Sequence, residues 1–290
     1  MHVSTSRPIA PARRRRFLTG RLLAIYAALI VLGVLFLVPF YIMLRNAFLT
    51  DLQITSPDFI WLPLPPHLDN FSELFSDPDI PILTGLRNSA IIAVSQTALQ
   101  MLFACMAGYG LARVPVRGKG IVLAAILATM MIPGAALFVP KYVLVSNFGW
   151  VNTLQGIIVP DLFSAFATFM FRQFYLDFPL EMEEAGRADG LGFLGLFWFL
   201  ALPNSKGVIT ALGLLAFIWS WNAFLWPLVI GQDPNLWTVQ VDVSAFLTNQ
   251  TVNLHEIFLA SVMAILPVAV LFALVQRWIV EGVKLQGSKG

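Results

Sequence analysis

The densest set of chemically capable side chains falls in EMEEAGRADG, residues 181 to 190, where four acids and an arginine occupy nine positions. Their spacing describes a helix rather than a reaction centre. Asp177 can cap it, Pro179 suits its first turn, and Glu181, Glu183 and Glu184 sit near the positive end of its dipole. Glu183 and Arg187 are four apart in the favourable order, and Gly190 with Gly192 supplies a stop. This predicts a surface helix of about ten residues whose Ala185, Gly186 and Ala188 let another backbone come close. A solvated charged loop is the plain alternative. No GxxxxGK(S/T) phosphate loop, HExxH, GxSxG or CxxC pair occurs, and His2, His67 and His255 are far apart. The expectation is a chain without catalysis, metal or cofactor of its own, in which Cys105 is a small buried hydrophobe.

A second group of polar residues interrupts apolar runs. Asp161, in VPDLFSAF, either caps a helix restarting after Pro160, pairs with another span, or lines a hydrated path. Gln96 and Gln100 are four apart and share a helix face, serving interhelical hydrogen bonds or a path. In WSWNAFLWP, Trp219, Asn222 and Trp226 fall at i, i+3 and i+7 on one predicted stripe. An amide flanked by aromatic faces suits a sugar, whose CH face stacks on an indole while its hydroxyls need donors and acceptors. The interfacial aromatic belt is the competing account and fits Trp226 better than Trp219, which lies about 18 Å into the span at 1.5 Å per residue. Gln96, Gln100, Asp161, Trp219 and Asn222 are thus the candidate path.

The elements that must position these residues are membrane helices. The chain is 58% hydrophobic and 12% charged, against about 45–50% and about 25% in soluble domains. About 20 apolar residues cross a hydrocarbon core, and six stretches qualify: roughly 22 to 44, 89 to 112, 120 to 144, 154 to 176, 208 to 230 and 258 to 280. The first is longer than a signal-peptide core, and no small-x-small cleavage site follows Arg45. Pro39, Pro133, Pro140, Pro160, Pro227 and Pro267 predict bent helices. Lysine and arginine in short loops set orientation. With the N-terminus inside, the cytoplasmic side collects Arg7, Arg13 to Arg16, Arg21, Arg113, Arg117, Lys119, Arg172, Arg187, Lys206, Arg277, Lys284 and Lys289, leaving Arg45, Arg87 and Lys141 outside. The expected architecture is an all-α membrane protein with six transmembrane helices and both termini cytoplasmic. It has a basic tail at 1–21, a six-helix transmembrane domain at 22–280 with a cytoplasmic loop at 177–207, and a tail at 281–290.

That loop resembles the EAA loop of ABC importer permeases, whose pattern is EAA, three residues, G, nine residues, I, one residue, LP. Glu184, Ala185 and Gly186 stand for EAA, Gly190 for the glycine, Leu200 for the isoleucine, and Leu202 with Pro203 for LP, while Asp189 matches the usual DG. NSAIIAVSQTALQMLFACMAGYGLARVPVRGKG, WSWNAFLWPLV and ILPVAVLFALVQRWIVEGVKLQGSKG look like the carbohydrate-uptake group, in particular the second permease of maltose-type importers. The tail departs from that group's GAVKG ending, reading QGSKG from Gln286.

The resemblance implies a type I ABC importer permease fold in the plasma (inner) membrane of a prokaryote. It implies as partners a homologous second permease, two ATP-binding subunits that hold the ATP and Mg, and an extracytoplasmic solute-binding protein, with a sugar or oligosaccharide as cargo and no nucleic acid. The EAA helix would be the coupling helix, with Glu183, Glu184, Ala185, Gly186, Arg187, Asp189, Gly190 and Pro203 as its coupling residues. Glu184 and Asp189 would fix it in a socket, and Ala185, Gly186 and Gly190 would permit close packing. Two alternatives stand: an ion-gradient-driven carrier or channel using Asp161 as its proton or ion site, and a type I permease for glycerol phosphate or a polyol.

Overall fold

The computed structural model describes the backbone of residues 14–248 and 253–287, and the side chains of 20–248 and 253–276. The outer parts of both tails, with Arg7, Arg13 and Lys289, lie outside the described residues. The described chain is helical, without a strand. Helix α1 (Arg14–Asn46) stands beside the bundle and exposes its apolar side chains from Leu22 to Phe40. Short helices α2 (Asp51–Ile54) and α3 (Asp69–Ser76) lead to α4 (Ile82–Arg113), which is followed by α5 (Lys119–Thr129) and α6 (Gly134–Asn147). Next come α7 (Leu154–Ile158) with a 3₁₀ turn over Val159–Asp161, then α8 (Ala165–Leu176) and α9 (Leu180–Ala188). Helix α10 (Phe193–Leu196), a π turn over Phe197–Ala201 and α11 (Leu202–Asn204) precede α12 (Lys206–Trp221), α13 (Leu225–Ile230), α14 (Val239–Thr248) and α15 (Leu254–Gly287). Three helices, α1, α4 and α15, are long and apolar enough to cross a membrane, and up to six crossings result if each bent pair is one span.

The breaks are sharper than bent helices, and each has a local cause. The stretch expected as one span at 120–144 is two helices meeting at 101°. Pro133 has no N–H for the carbonyl four residues back and keeps Ile132 out of the helical region. The stretch at 154–176 bends by 44°, and Ser164, not Asp161, caps the restart: its hydroxyl accepts from the Ala167 N–H at 3.1 Å. The stretch at 208–230 ends at Trp221 with Asn222 in the C-cap position and resumes at Leu225. Pro227 sits in the first turn of α13, where a missing donor is harmless, but it could not have continued α12. Trp219, Asn222 and Trp226 therefore do not share a stripe. Nor does Asp177 cap α9. It ends α8, and Pro179 precedes α9 without a side-chain cap. Gly190 provides the stop with φ of 86°, a conformation costly for other residues. Pro203 lies within α11, and the chain turns 75° just after it into α12.

Helix α4 is the axis of the packing, lying chiefly against α8 and α12. Gly108 sets the closeness of α4 to α8: a Cβ there would lie 2.6 Å from the Phe171 Cβ and 2.8 Å from the Arg172 nitrogen. Around this crossing Met101, Cys105, Tyr109, Phe171, Tyr175 and Phe197 form a buried cluster. The Tyr175 hydroxyl shares hydrogen bonds with Cys105 Sγ at 2.8 Å and Ser205 Oγ at 2.7 Å, joining α8 to α4 and to the start of α12. At the other end of α4, α14 presses Asp242 onto Gly85, where a methyl group would overlap the carboxylate. Asp242 is fully buried, both its oxygens lack hydrogen-bond partners, and desolvation pushes its carboxyl up to about 7.

Two outcomes follow from these contacts. Gly108→Ala should lower thermal stability in detergent by about 1–3 kcal/mol, because the added methyl meets backbone as well as side chain; an unchanged unfolding midpoint would show that α4 and α8 can part freely. Asp242 protonates far above its ordinary 3.8 in the folded state, so stability is fully present at low pH and is lost as pH rises from about 4 to about 7. Asp242→Asn should remove a decline on the order of 4 kcal/mol across that window. Identical pH profiles for the variant and the wild type would refute the assignment.

Candidate functional site

Helix α9 is fastened by one face and free on the other. Glu183 is 3% exposed and lies 3.3 Å from the Arg113 guanidinium at the end of α4 and 3.6 Å from Arg187, the i,i+4 partner its spacing predicts. Arg113 also donates from Nε to the Tyr175 carbonyl at 2.7 Å and from its terminal nitrogen to the Phe178 carbonyl. Because Nε is directed at Tyr175, its attraction to Glu183 is ionic rather than a directed hydrogen bond. The Tyr175 carbonyl also accepts from the Phe178 N–H at 3.3 Å, and a cation at the end of α8 complements the helix dipole. Gly186 faces inward as well: a Cβ would lie 2.6 Å from Leu196 Cδ2 and 2.7 Å from Leu200 Cδ1.

Of the coupling residues proposed from the sequence, Glu184, Ala185, Arg187, Asp189, Gly190 and Pro203 are exposed, whereas Glu183 and Gly186 turn into their own chain. The small-residue face expected at Ala185, Gly186 and Ala188 is thereby divided. The two alanines remain outward, and the glycine instead admits the leucines of the following segment. Arg113 was not singled out by sequence reasoning. Its only signal was a basic residue closing an apolar helix, and its partners lie far downstream.

A second site is a cavity of about 550 Å³ between α4, α8 and α12, whose mainly apolar wall also carries Gln96, Gln100, Asp161, Ser164, Trp219 and Ser220. Four of the five path candidates, Gln96, Gln100, Asp161 and Trp219, thus meet in one place. Gln96 donates to the Ile158 carbonyl at 3.4 Å and accepts from the Ser220 hydroxyl. Gln100 donates to the Asp161 carbonyl at 2.9 Å. The Asp161 carboxylate accepts from Lys141 Nζ at 3.0 Å through both oxygens, realising its pairing alternative rather than its capping one. Trp219 is 79% exposed. Asn222 does not line the cavity; it donates to the Ile218 carbonyl at 2.9 Å and accepts from Gln240 at 3.2 Å. Trp226 is 7% exposed, donates to the Gly156 carbonyl at 3.2 Å and carries Lys141 Nζ 3.8 Å from its ring centroid. It is an interior residue of the described fold, and neither the sugar stripe nor the aromatic belt explains it.

An apolar helical bundle with a cavity among its broken helices and a stapled helix at one end is the architecture of a membrane transport subunit, and comparison with known proteins gives its class. The chain belongs to the family described as binding-protein-dependent transport system inner membrane component, whose model matches residues 100–285. It is 32% identical over 241 residues to the arabinooligosaccharides transport system permease protein AraQ of Halalkalibacterium halodurans, covering 83% of this chain and 86% of that one. It is 32% identical over 214 residues to the lactose transport system permease protein LacG of Rhizobium radiobacter, covering 74% and 78%. The sn-glycerol-3-phosphate transport system permease protein UgpE of Yersinia pestis is 29% identical over 263 residues, covering 88% and 93%. In fold, the chain is similar to one solved in a bacterial ABC transporter involved in the import of the acidic polysaccharide alginate. The TM-score is 0.79 at 21% identity, over 93% of this chain and 99% of that one.

The Lys141–Asp161 pair is partly open to solvent, with side chains 26% and 44% accessible, so its worth is modest. A double-mutant cycle of Lys141→Met and Asp161→Asn should give a coupling of about 1 kcal/mol in thermal unfolding. Strictly additive single effects would mean that the pair does not form.

Proposed function

We propose that this chain is the permease subunit of an ATP-driven importer for a neutral sugar or oligosaccharide, crossing the membrane six times with both termini and α9 in the cytoplasm. Counting each bent pair as one span yields six crossings, and the placement of lysine and arginine supports this orientation. The observation that carries the cargo assignment is the composition of the cavity: a mainly apolar wall that includes Phe166 and the exposed Trp219 indole, set with two amides and two serine hydroxyls, and a carboxylate paired with Lys141. Among the described residues lining it there is no lysine or arginine to meet a phosphate, which favours a sugar over glycerol phosphate. The names of AraQ and LacG point the same way. An ion-gradient carrier would need Asp161 free to exchange its ion, and Lys141 occupies it.

The same proposal supplies the partners. Two ATP-binding subunits with Mg-ATP would receive the exposed face of α9, where Glu184 and Asp189 form the polar margin and Ala185 and Ala188 the contact. Glu183 and Gly186 would act behind that face, passing its displacement to α4 through Arg113 and to α12 through Leu196 and Leu200. A homologous second permease would cover the apolar groove between α4, α12 and α15, lined by Val94, Met101, Phe217 and Leu271. A solute-binding protein would deliver cargo from the far side. The tails at 1–21 and 281–290 would be cytoplasmic.

Ala185→Trp should release the ATP-binding subunits from the detergent-solubilised complex while this chain keeps its unfolding temperature. Trp219→Ala should leave the complex intact and lower sugar uptake about tenfold, the loss of a stacking contact of roughly 1–1.5 kcal/mol. Full co-purification of the first variant would refute the coupling assignment. Wild-type uptake by the second would refute the cargo assignment.

A further inference from the structure

At the end of the bundle opposite α9, residues distant in sequence converge on His255, in the first turn of α15. Asp51 Oδ1, at the start of α2, accepts from the His255 backbone N–H at 2.9 Å and lies 2.7 Å from its Nδ1. Glu73 Oε2, on α3, lies 2.9 Å from Nε2. The Glu256 carboxylate completes the group: ligand atoms of Glu73, His255 and Glu256 all lie within 4.8 Å of one another. The imidazole is largely shielded, with 13% of its side chain accessible, and Glu256 is 7% exposed, so two members of the group are drawn inward rather than solvated.

Each ring nitrogen has a carboxylate oxygen within hydrogen-bond distance. The carboxylates of Asp51, Glu73 and Glu256 gather around one imidazole, and among the described residues no lysine or arginine pairs with any of them. A cation is what the charge balance lacks. Nε2, beside Glu73, is the nitrogen open to a metal, because Nδ1 is engaged by Asp51. A carboxylate accepting from the far ring nitrogen of a metal-bound histidine is the usual orienting partner, fixing the tautomer and raising the basicity of the ligating nitrogen.

We propose that Glu73, His255 Nε2 and Glu256 form a binding site for a divalent transition cation, zinc being the probe of choice, with Asp51 as the positioning residue. One nitrogen and two carboxylate oxygens suit zinc and leave a coordination position for water, while the imidazole disfavours calcium and magnesium. The metal takes the place of any proton on Nε2. It would tie α3 to the start of α15, and through Asp51 would fix α2 as well.

The test uses the full chain in its detergent-solubilised complex, purified without a polyhistidine tag and stripped with EDTA. Titration calorimetry with zinc should show one site per chain, with affinity rising from pH 6 to pH 8 as the proton is displaced more easily. Glu73→Gln, an exposed position that the fold tolerates, should weaken binding at least about tenfold, and Asp51→Asn should weaken it about 10–100-fold. His255→Ala should abolish it; if that variant does not fold, the Glu73→Gln result decides. Zinc affinity unchanged in Glu73→Gln and His255→Ala, or calcium bound as tightly as zinc, would overturn the proposal.

Discussion

The Arg113 guanidinium is the junction on which the architecture closes. It ends α4, neutralises Glu183 on α9 and satisfies two carbonyls where α8 gives way to α9. Removing one member of such a buried arrangement leaves the others desolvated and uncompensated, which is why breaking a buried pair costs several times what an exposed one contributes. Three elements with different directions therefore meet around one cation. Helix α9 would otherwise be a nine-residue segment too short to hold its shape alone. Through this contact it becomes part of the bundle, and its free face acquires a fixed orientation.

The broken helices raise a second accounting problem, since carbonyls freed at a break have no water to turn to in a hydrocarbon medium. The break between α7 and α8 exposes the carbonyls of Ile158 and Asp161, and the side chains of Gln96 and Gln100 donate to these two. The glutamines were weighed in the sequence as either packing groups or path residues, and their positions make the two roles one. Each spends an amide hydrogen on the opened helix while lying on the wall of the cavity. Polar lining here is a by-product of satisfying broken backbone, and the lining survives because Lys141 balances the one carboxylate among it.

Apolar runs and prolines made the helices and the places of their breaks legible, because both depend on neighbours in the chain. The angle at a break was not legible, since 101° and 44° follow from what each half-helix packs against. The same limit governed α9. Glu183 and Glu184 are adjacent identical residues, and only the helix phase, set by contacts with Arg113 and Leu200, decides that one is buried and the other exposed. The periodic match of Trp219, Asn222 and Trp226 failed for a reason present in the sequence: Pro227 stands where a continuous helix would need a donor. The Lys141–Asp161 pair was half legible, as a charge within a span demands a partner but does not name one.

Taken end to end, α4 reports how such a protein distributes its constraints. Near Arg113 the helix is pinned by an ionic contact and by Gly108, which brings α8 to backbone distance. Near Gly85 the closeness is comparable but the chemistry is opposite: α14 inserts a carboxylate with no donor to receive it, and Thr238 one turn earlier also leaves its hydroxyl oxygen bare. A buried unpaired group subtracts from the packing that holds it, while a satisfied one adds to it. Both ends are tightly packed and both are held by polar contacts, since Asn88 donates to the Asn235 and Trp237 carbonyls at 2.8 and 3.0 Å and Ser89 Oγ accepts from the Val239 N–H at 2.9 Å, but the Gly85 end also buries a carboxylate that no donor meets. Glycine is required at each for the same steric reason, and only the polar partners tell the two ends apart.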